Sequence, residues 1–334
     1  MRAMILSKQA PIECRPLEPK EVADPEPREQ QVRIRVTACG VCHTDLHIVE
    51  GDLELHKQPI IPGHEVIGVV DKLGPGASRF QPGDRVGVAW LYWTPPECKY
   101  RQRGLENLCD EAKFTGWDAD GGFAEMMVVP EDFAYPIPDC FSDVEAAPLM
   151  CAGVVGFRAL RLGEVEQAER VGLYGFGASA HLAIQVACYW GCKVYVFTRS
   201  EEHQRHAREL GAAWVGEAQD DPGVKLDSAI IYAPAGWIVP EALRVLDKGG
   251  ILVLAGIYMS PIPQMDYHLL WEERVVRSVA NATRQDAEDF LRIAAAVPVR
   301  TDVITFALEE ANEALRQVKH SEISGAAVLQ VSGE

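Results

Sequence analysis

Strand and helix patterns alternate from about residue 169 to residue 255, and this alternation constrains the fold more than any other feature of the chain. Apolar runs of strand character recur at residues 170–174, 193–197, 228–232 and 251–255. Segments of helical character lie between them, at residues 181–190, 201–210 and 240–246. Strands separated by helices are typical of βαβ units, whose strands lie parallel in one sheet. The pattern therefore predicts an α/β domain with a doubly wound parallel sheet.

A glycine-rich turn directly follows the first of these strands. Its residues are Gly175, Phe176, Gly177, Ala178, Ser179 and Ala180, which fit the pattern G-x-G-x-x-[GA]. Between a strand and a helix, this pattern is typical of dinucleotide binding. The first glycine allows a tight turn, and the second lets the backbone approach a pyrophosphate. We therefore expect the amino end of the following helix to bind a cofactor phosphate.

The first half of the chain has a different character, because turn residues interrupt short apolar runs. Runs that suit strands lie at residues 3–6, 31–36, 66–70 and 85–88. Prolines between residues 11 and 27 break any long element there. We predict a strand-rich core for this half. After about residue 282 the pattern becomes helix, strand, helix and strand, at 286–296, 303–308, 309–319 and 326–331.

Potential metal ligands are concentrated at the end of one predicted strand and recur twice downstream. Residues 39–47 read Cys-Gly-Val-Cys-His-Thr-Asp-Leu-His, and the pair His64 and Glu65 follows about twenty residues later. Cys151 lies much further along, in the run Met-Cys-Ala-Gly. Cys42, His64 and Cys151 would form a set of two thiolates and one imidazole. Three protein ligands with an open fourth position are typical of a catalytic zinc site.

Five motifs, in one order, make the chain similar to the zinc-dependent medium-chain alcohol dehydrogenases. They begin at Gly40, Gly63, Asp120, Met150 and Tyr174, and read GVCHTD, GHE, DGGFAE, MCAG and YGFG. The resemblance implies a GroES-like, β-rich catalytic domain over residues 1–150 and 283–334. It also implies a Rossmann dinucleotide-binding domain over residues 151–282.

The resemblance also implies roles for the residues around the zinc ligands. Thr44 matches a hydroxyl in the substrate site, and with His47 it matches a relay that carries the alcohol proton to solvent. Asp45 matches a carboxylate that orients the imidazole of His64. Glu65 matches a carboxylate that approaches the metal during ligand exchange. A zinc ion with an open position can bind an alcohol and lower the pKa of its hydroxyl.

For the cofactor, the resemblance implies that His43 meets the pyrophosphate, although an ordinary surface histidine is the alternative. Ala233 and Ile257 match positions beside the nicotinamide, although apolar residues at strand ends are equally often core residues.

The end of the second strand of a dinucleotide domain meets the adenosine ribose, where an acidic residue is typical of NAD binding. Thr198 occupies this place, and the neighbouring Arg199 and Ser200 can donate to a 2′-phosphate. We therefore predict that NADP is preferred and that NAD is possible. The alternative is that Arg199 points into solvent and both cofactors are used.

Relatives in this family usually carry a second, structural zinc, held by four cysteines in a loop near residues 95–109. Only Cys98 and Cys109 remain here, since Pro95 and Arg101 occupy two of the four positions. Neither proline nor arginine ligates zinc, so a closed four-thiolate site cannot form. We expect one catalytic zinc and no structural zinc. The remaining pair of thiols leaves open a non-catalytic, redox-sensing function.

Composition excludes several classes of partner. The net charge of the 334-residue chain is −17, which argues against nucleic acids and anionic membranes as partners. The chain shows neither a secretory leader nor an apolar run long enough for a membrane span, so we expect a cytoplasmic location. The nine cysteines are scattered over a long chain, which does not suit a disulfide framework.

The predicted function is the reversible oxidation of small primary alcohols to aldehydes by hydride transfer to a nicotinamide cofactor. Trp90 matches a residue that lines the substrate pocket, where a large indole narrows the space and offers apolar contact. This disfavours the alternative of a secondary-alcohol or polyol dehydrogenase. The partners we expect are a small alcohol or aldehyde and, by the resemblance, further copies of the chain in a dimer or tetramer.

Overall fold

Strands dominate the first of the two units in the structure, a computed structural model that describes residues 1–297, 299–323 and 325–331. This unit comprises Met1–Cys151, Thr283–Arg292 and the described residues from Arg300 onward. Its elements before Cys151 are β1 (Arg2–Leu6), β2 (Leu17–Glu21), β3 (Gln31–Val41), α1 (His43–Glu50), β4 (Glu65–Leu73), β5 (Arg85–Val88), β6 (Leu91–Trp93), β7 (Lys113–Phe114), β8 (Met126–Pro130), β9 (Ala134–Pro136) and α2 (Asp143–Ala146).

Helices and strands alternate in the second unit, which comprises Ala152–Ala282 and the described part of Ile293–Val299. Its elements are α3 (Ala152–Leu162), β10 (Arg170–Tyr174), α4 (Ala178–Tyr189), β11 (Lys193–Phe197), α5 (Glu201–Glu209), β12 (Trp214–Gly216), β13 (Leu226–Ile231), α6 (Ile238–Val245), β14 (Leu246–Leu254) and β15 (Val275–Ser278). The six strands pair in parallel in the order β12-β11-β10-β13-β14-β15. The chain thus runs outward from β10 in both directions, which is the predicted doubly wound arrangement.

Two C-terminal strands complete the sheet of the first unit. The elements of this part of the chain are α7 (Arg284–Ala296), β16 (Val303–Ala307), α8 (Ala311–Lys319) and β17 (Ala326–Gln330). β17 pairs antiparallel with β3 and sets Ala327 opposite Val41, the last residue before Cys42. The resulting sheet has the order β16-β17-β3-β4-β5-β9, and β8 pairs with the earlier part of β3. The strand that leads into the predicted zinc site is therefore paired along its whole length.

Several elements extend beyond their predicted limits. The alternation of Val32, Ile34 and Val36, all fully buried, predicted β3 only to residue 36. The strand continues to Val41 because pairing with β4 and β17 supplies hydrogen bonds that the local pattern does not indicate. Helix α4 begins at residue 178, three residues earlier than predicted, because Gly177 is its N-cap.

Each unit has its own cluster of buried apolar side chains. In the parallel sheet, β10 has a continuous buried run from Val171 to Tyr174, as expected for a strand covered on both faces. In the part of the chain that the structure describes, no helix has the length and apolar composition required to cross a bilayer.

Candidate functional site

The first turn of α1 begins at Cys42, whose side chain caps the helix. The Cys42 Sγ accepts a hydrogen bond from the amide of Thr44 at 3.3 Å. Asp45 completes a capping box, because its Oδ2 accepts from the amide of Cys42 at 3.0 Å. This capping box places the Cys42 thiol at the end of β3, beside the start of α1.

Asp45 also determines how His64 is oriented. Its Oδ1 lies 2.9 Å from the Nδ1 of His64, and both side chains are buried. The same oxygen accepts from the amide of Gly63 at 3.2 Å. Gly63 has a φ of +97°, a conformation that glycine adopts without strain. With the Nδ1 proton donated to Asp45, the Nε2 of His64 is the nitrogen able to bind a metal.

Four side chains converge on one place in the first unit: Cys42, His64, Glu65 and Cys151. Their ligand atoms, one from each residue, all lie within 4.8 Å of one another. The Cys42 Sγ is 3.4 Å from the His64 Nε2. Two such atoms bound to one tetrahedral zinc at about 2.0–2.3 Å would be roughly 3.6 Å apart. The donor set and its spacing therefore fit zinc.

The electrostatics of this cluster also suit a divalent cation. Burial raises the pKa of Glu65 well above its usual range, and the charge of Cys42 raises it further. A hydrogen bond with Cys151 holds the pKa of the Cys42 thiol well below its usual range, although burial opposes this shift. Burial also raises the pKa of Asp45. Two half-buried thiols and two buried carboxyl groups thus lie together, and a cation bound among them would favour their deprotonated, charged forms.

Thr44 and His47 lie three residues apart on α1, so their side chains share one face of the helix. Both are half-buried. The Nδ1 of His47 is 2.7 Å from Oδ2 of Asp52, whose side chain is 58% exposed. Asp52 was not among the predicted site residues. It reaches His47 because α1 ends at Gly51, where a φ of +97° turns the chain back.

In the second unit, the glycine-rich turn has the features that a dinucleotide requires. Gly175 has a φ of +86°, and a Cβ there would lie 3.0 Å from the amide nitrogen of Ala233. Beside Gly177, no described residue would lie within 4 Å of an added Cβ. Gly177 is the N-cap of α4 and has no side chain that could accept a hydrogen bond from the amides of the first turn. These amides therefore face the open space. Open space at a helix amino end suits a pyrophosphate.

The other residues predicted to contact the cofactor in this turn and after β11 differ in burial and in their hydrogen bonds. Phe176, Ala180 and Thr198 are buried, and Ser179 is half-buried in the first turn of α4. Thr198 follows β11 directly, and its amide donates to the carbonyl of Gly216 at 2.7 Å. Arg199 is exposed, and Ser200 caps α5 by accepting from the amide of His203 at 3.3 Å.

Three more predicted residues have different environments. Ala233 follows β13 and donates its amide to the carbonyl of Tyr174 at 3.2 Å, which brings it beside Gly175. Ile257 follows β14 and is 56% exposed, so it is not an ordinary core residue. His43 is the first residue of α1 in the first unit and is exposed.

Aromatic rings extend from the cluster toward the surface of the first unit. The ring of Trp90 meets the buried ring of His64 edge-on, with centroids 5.0 Å apart. Trp90 stacks in turn on Phe114 at 5.1 Å and on Trp117 at 5.9 Å. The exposed ring of His56 stacks on Trp117 at 3.9 Å. Of these residues, sequence reasoning had identified only Trp90 as part of a substrate site.

Comparisons with known proteins show to which family the chain belongs. Residues 28–139 match a model of the alcohol dehydrogenase GroES-like domain, and residues 180–296 match one of zinc-binding dehydrogenases. The chain is 45% identical to a probable alcohol dehydrogenase of Mycobacterium tuberculosis, over 99% of this chain and 97% of that protein. It is 36% identical to an alcohol dehydrogenase of Geobacillus stearothermophilus, over 94% and 96% of the two chains.

The chain belongs to the zinc-dependent medium-chain alcohol dehydrogenases. A solved structure of a thermostable alcohol dehydrogenase from Pyrobaculum aerophilum, bound to cobalt and zinc, superposes with a TM-score of 0.88. It covers 99% of both chains at 25% identity. The predicted fold class, a GroES-like domain with a Rossmann domain, is confirmed. The protein is thus an oxidoreductase that oxidises alcohols.

The loop in which members of this family often hold a second zinc is organised here around a guanidinium. Arg101 donates to the carbonyl of Thr94 at 2.6 Å and to Asp132 at 3.1 Å. Asp132 also pairs with Arg284 at 3.5 Å. The two guanidinium groups lie 5.8 and 5.2 Å from the ring centroid of the buried Phe133. Arg101 therefore ties the loop to the core through hydrogen bonds and cation–π contacts.

Proposed function

We propose that this alcohol dehydrogenase oxidises small primary alcohols to aldehydes, reversibly, with zinc at the cluster of Cys42, His64 and Cys151 and a nicotinamide cofactor as hydride acceptor. The convergence of these three side chains, with Trp90 against His64, carries the proposal. Zinc held there supplies a Lewis acid that polarises an alcohol oxygen. Asp45 orients His64 toward the metal through its 2.9 Å contact with Nδ1.

Thr44, His47 and Asp52 provide a route for the alcohol proton. Thr44 offers a hydroxyl two residues from the ligand Cys42, and His47 follows on the same face of α1. Asp52 accepts the Nδ1 proton of His47, which makes Nε2 the basic nitrogen of a neutral imidazole. Since Asp52 is largely exposed, a proton that reaches His47 has a direct path to water.

The change His47→Gln is expected to lower kcat by about a hundredfold, at the lower end of general acid–base effects, because water can partly replace a terminal relay member. Zinc content should stay unchanged, since His47 is not a ligand in this proposal. Steady-state kinetics and plasma emission measure the two quantities. The matched control is His320→Gln, an exposed histidine near Glu13 on the same unit. Loss of zinc in the His47 variant would contradict the assigned roles.

The residues of the second unit that would hold the cofactor are the glycine-rich turn and the end of β11. The amides after Gly177 would bind the pyrophosphate, and Thr198, Arg199 and Ser200 would meet the adenosine ribose and its 2′-phosphate. Ala233 and Ile257 are proposed to lie beside the nicotinamide, and His43 to contact the pyrophosphate. On these grounds we propose a preference for NADP over NAD.

Trp90 supports a preference for primary alcohols over secondary alcohols and polyols. Its ring lies against His64 and is itself packed against two other rings, so it is held in place. A fixed indole beside the ligands restricts branching at the reacting carbon and offers no hydrogen-bond acceptor to a polyol.

Trp90→Ala is expected to raise kcat/KM for 2-propanol by about tenfold, because the branch at its reacting carbon then has room. The kcat/KM for ethanol should change little. A panel of ethanol, butanol, hexanol, 2-propanol and glycerol, with NAD and with NADP, measures both the activity and its selectivity. Glycerol as the best wild-type substrate would exclude this proposal in favour of a polyol dehydrogenase.

We further propose that one zinc binds per chain. Among the described residues, the cluster at Cys42 is the group of potential ligands that can hold a metal. The loop at Cys98 and Cys109 lacks two thiols, and Arg101 makes the contacts that hold it closed.

Plasma emission of the purified enzyme is therefore expected to give about one zinc per chain, as for a catalytic site alone. Arg101→Ala should lower the Tm while leaving this value unchanged, because the guanidinium stabilises the loop without a metal. Arg103→Ala, an exposed arginine of the same loop, is the matched control. A zinc content near two ions per chain would refute the proposal.

Apolar exposure on the second unit supports assembly into a homo-oligomer. β15 is the last strand of the parallel sheet, and no other strand of the described residues pairs with its outer edge. The exposed apolar residues in and before it include Tyr258, Ile262, Tyr267, Trp271 and Val275. Open strand edges with apolar surroundings are usually covered. We propose that the protein forms a dimer or tetramer. Light scattering measures its molar mass in solution, and the mass of a single chain would contradict this proposal.

We propose a cytoplasmic enzyme, on the basis of the acidic composition and the nine free cysteines of the structure. Peptide mapping after proteolytic digestion tests this, and structural disulfide bonds would contradict it.

We also propose a catalytic domain of residues 1–150 and 283–334 and a cofactor domain of residues 151–282. Limited proteolysis tests these domain limits.

A further inference from the structure

The carboxyl end of α1 is held by the segment that follows β1. A helix leaves its last carbonyl groups without partners inside the helix. In α1 the side chain of Gln9 supplies one such partner, because its Nε2 donates to the carbonyl of Ile48 at 2.7 Å. The amide of Ala10 supplies another and donates to the carbonyl of Val49 at 3.1 Å. The end of the helix that carries His47 is therefore anchored from outside the helix.

Gln9 also holds the turn that follows this helix end. Its Nε2 donates a second time, to the carbonyl of Leu53 at 2.7 Å. A side-chain amide has two N–H groups, so both donors of Gln9 are used. Gly51 lies between the two acceptor residues, and its φ of +97° reverses the chain. A Cβ added to Gly51 would lie 3.6 Å from the side chain of Gln9, which therefore packs against the turn and joins its two sides.

The turn that Gln9 joins carries Asp52. Its Oδ2 is 2.7 Å from Nδ1 of His47. The carbonyl of His47 accepts from the amides of Gly51 and Leu53, each at 3.1 Å, so the turn closes back on the residue that Asp52 meets. A side chain as short as that of Asp52 follows its backbone. A change in the turn would therefore change the distance between the carboxylate and Nδ1.

We propose that Gln9 is a positioning residue for proton release, because its two hydrogen bonds hold the turn in the conformation in which Asp52 meets His47. This inference rests on the proposed function, in which His47 and Asp52 end the route of the alcohol proton. The contact with Nδ1 leaves Nε2 as the basic nitrogen of the neutral ring. A general base must also lie within hydrogen-bond reach of the proton that it accepts. Gln9 acts on both requirements through these two residues.

The change Gln9→Met removes both donors and keeps a side chain of similar length. It is expected to lower kcat for ethanol about tenfold, less than the effect of about a hundredfold expected for His47→Gln, because the imidazole is still present but less often aligned. The matched control is Gln58→Met. Gln58 also donates its Nε2 to a backbone carbonyl, that of Ser7 at 2.6 Å, and its change should leave kcat unchanged.

A double variant separates positioning from a general loss of structure. If Gln9 acts through His47, Gln9→Met should lower kcat about tenfold in the wild type and cause no further loss in the His47→Gln background. Increasing concentrations of Mops buffer at constant ionic strength should restore part of kcat in both single variants, because a soluble base can replace an interrupted relay.

Hydrogen exchange followed by mass spectrometry gives a readout without turnover. Peptides that contain the amides of Gly51 and Leu53 should exchange faster in Gln9→Met than in the wild type, because the turn opens more often. The same peptides should exchange at the wild-type rate in Gln58→Met. Unchanged exchange in Gln9→Met would show that its hydrogen bonds do not hold the turn, which would overturn the inference.

The kinetic outcomes distinguish this inference from the proposed function. Losses that add in the double variant would overturn the inference, because Gln9 would then affect turnover by a route other than His47. Wild-type kcat in Gln9→Met, beside the expected loss in His47→Gln, would overturn it alone and leave the proposed relay intact. Wild-type kcat in both single variants would overturn the proposed relay and this inference with it.

Discussion

Cys151→Ala is expected to lose its zinc and to oxidise alcohols at least on the order of 10³-fold more slowly than the wild type. A metal Lewis acid contributes several kcal/mol of charge stabilisation, and each 1.36 kcal/mol corresponds to a tenfold change in rate. The Cys151 ligand atom is one of four that lie within 4.8 Å of one another, and the other three belong to Cys42, His64 and Glu65. Removing it leaves one thiolate, too few for a catalytic site of two thiolates and one imidazole.

The measurement combines plasma emission with kcat/KM for one alcohol under zinc-replete conditions. Cys98→Ala is the matched control, because it removes a half-buried thiol from the loop that Arg101 holds closed. It should keep about one zinc per chain and nearly full activity. A Cys151 variant that retained both zinc and turnover would show that Glu65 or another group completes the site without this thiolate.

NADP is expected to be used with a kcat/KM about tenfold to a hundredfold higher than NAD, which is the value of one charge-assisted hydrogen bond. This preference depends on the residues at the end of β11. Thr198 offers no negative charge to repel a 2′-phosphate, and its backbone is held by Gly216 at 2.7 Å. Arg199 is exposed, and in the described part of the chain its guanidinium has no hydrogen-bond or ion-pair partner.

The Ser200 hydroxyl strengthens this expectation. Its oxygen accepts from the amide of His203 at 3.3 Å, so the hydroxyl proton remains available to an anion. Ser200 is also the N-cap of α5, so the amino end of this helix, which favours negative charge, lies beside the place proposed for the 2′-phosphate. Glu201 and Glu202 in the first turn oppose this effect, which limits the expected preference.

The double change Thr198→Asp with Arg199→Ala is expected to reverse the preference, because it introduces a carboxylate for the 2′-hydroxyl and removes the cation for the phosphate. Fluorescence titration with NADH and NADPH measures binding apart from turnover. Arg208→Ala is the matched control: it removes a positive charge from the last turn of α5 and should leave the ratio of the two cofactors unchanged. A wild type at least about tenfold better with NAD would refute the assignment and leave Arg199 as a solvated charge.

The cluster of potential metal ligands shows how much of the site short motifs can predict. Cys42, His64 and Cys151 were identified from short motifs and from a family resemblance, and the structure brings their ligand atoms together. The contact between Asp45 and His64 was likewise expected from the family resemblance, and the structure places Asp45 Oδ1 2.9 Å from His64 Nδ1. The roles of these residues in catalysis remain predictions.

The side chains that sequence reasoning missed lie next to the ones it found. Asp52 contacts His47 only because the chain turns at Gly51, and Trp117 joins Trp90 only because two distant segments meet. The contact of His47 with Asp52 had a signal in the sequence, because this carboxylate follows the relay histidine closely along the chain. The contact of Trp90 with Trp117 had no local signal, since an isolated tryptophan is most often a core residue.

The sequence by itself determined the features that depend on neighbours along the chain: the periodicity of β10 and β11 and the glycine-rich turn at Gly175. Only the tertiary structure decided which distant side chains meet, because these contacts depend on strand register and on the order of strands in the sheet. Pairing of β3 with β4 and β17 extends the strand to Val41 and so places Cys42. The contact between the rings of Trp90 and Phe114 likewise exists because β6 pairs with β7, which no periodicity along the chain encodes.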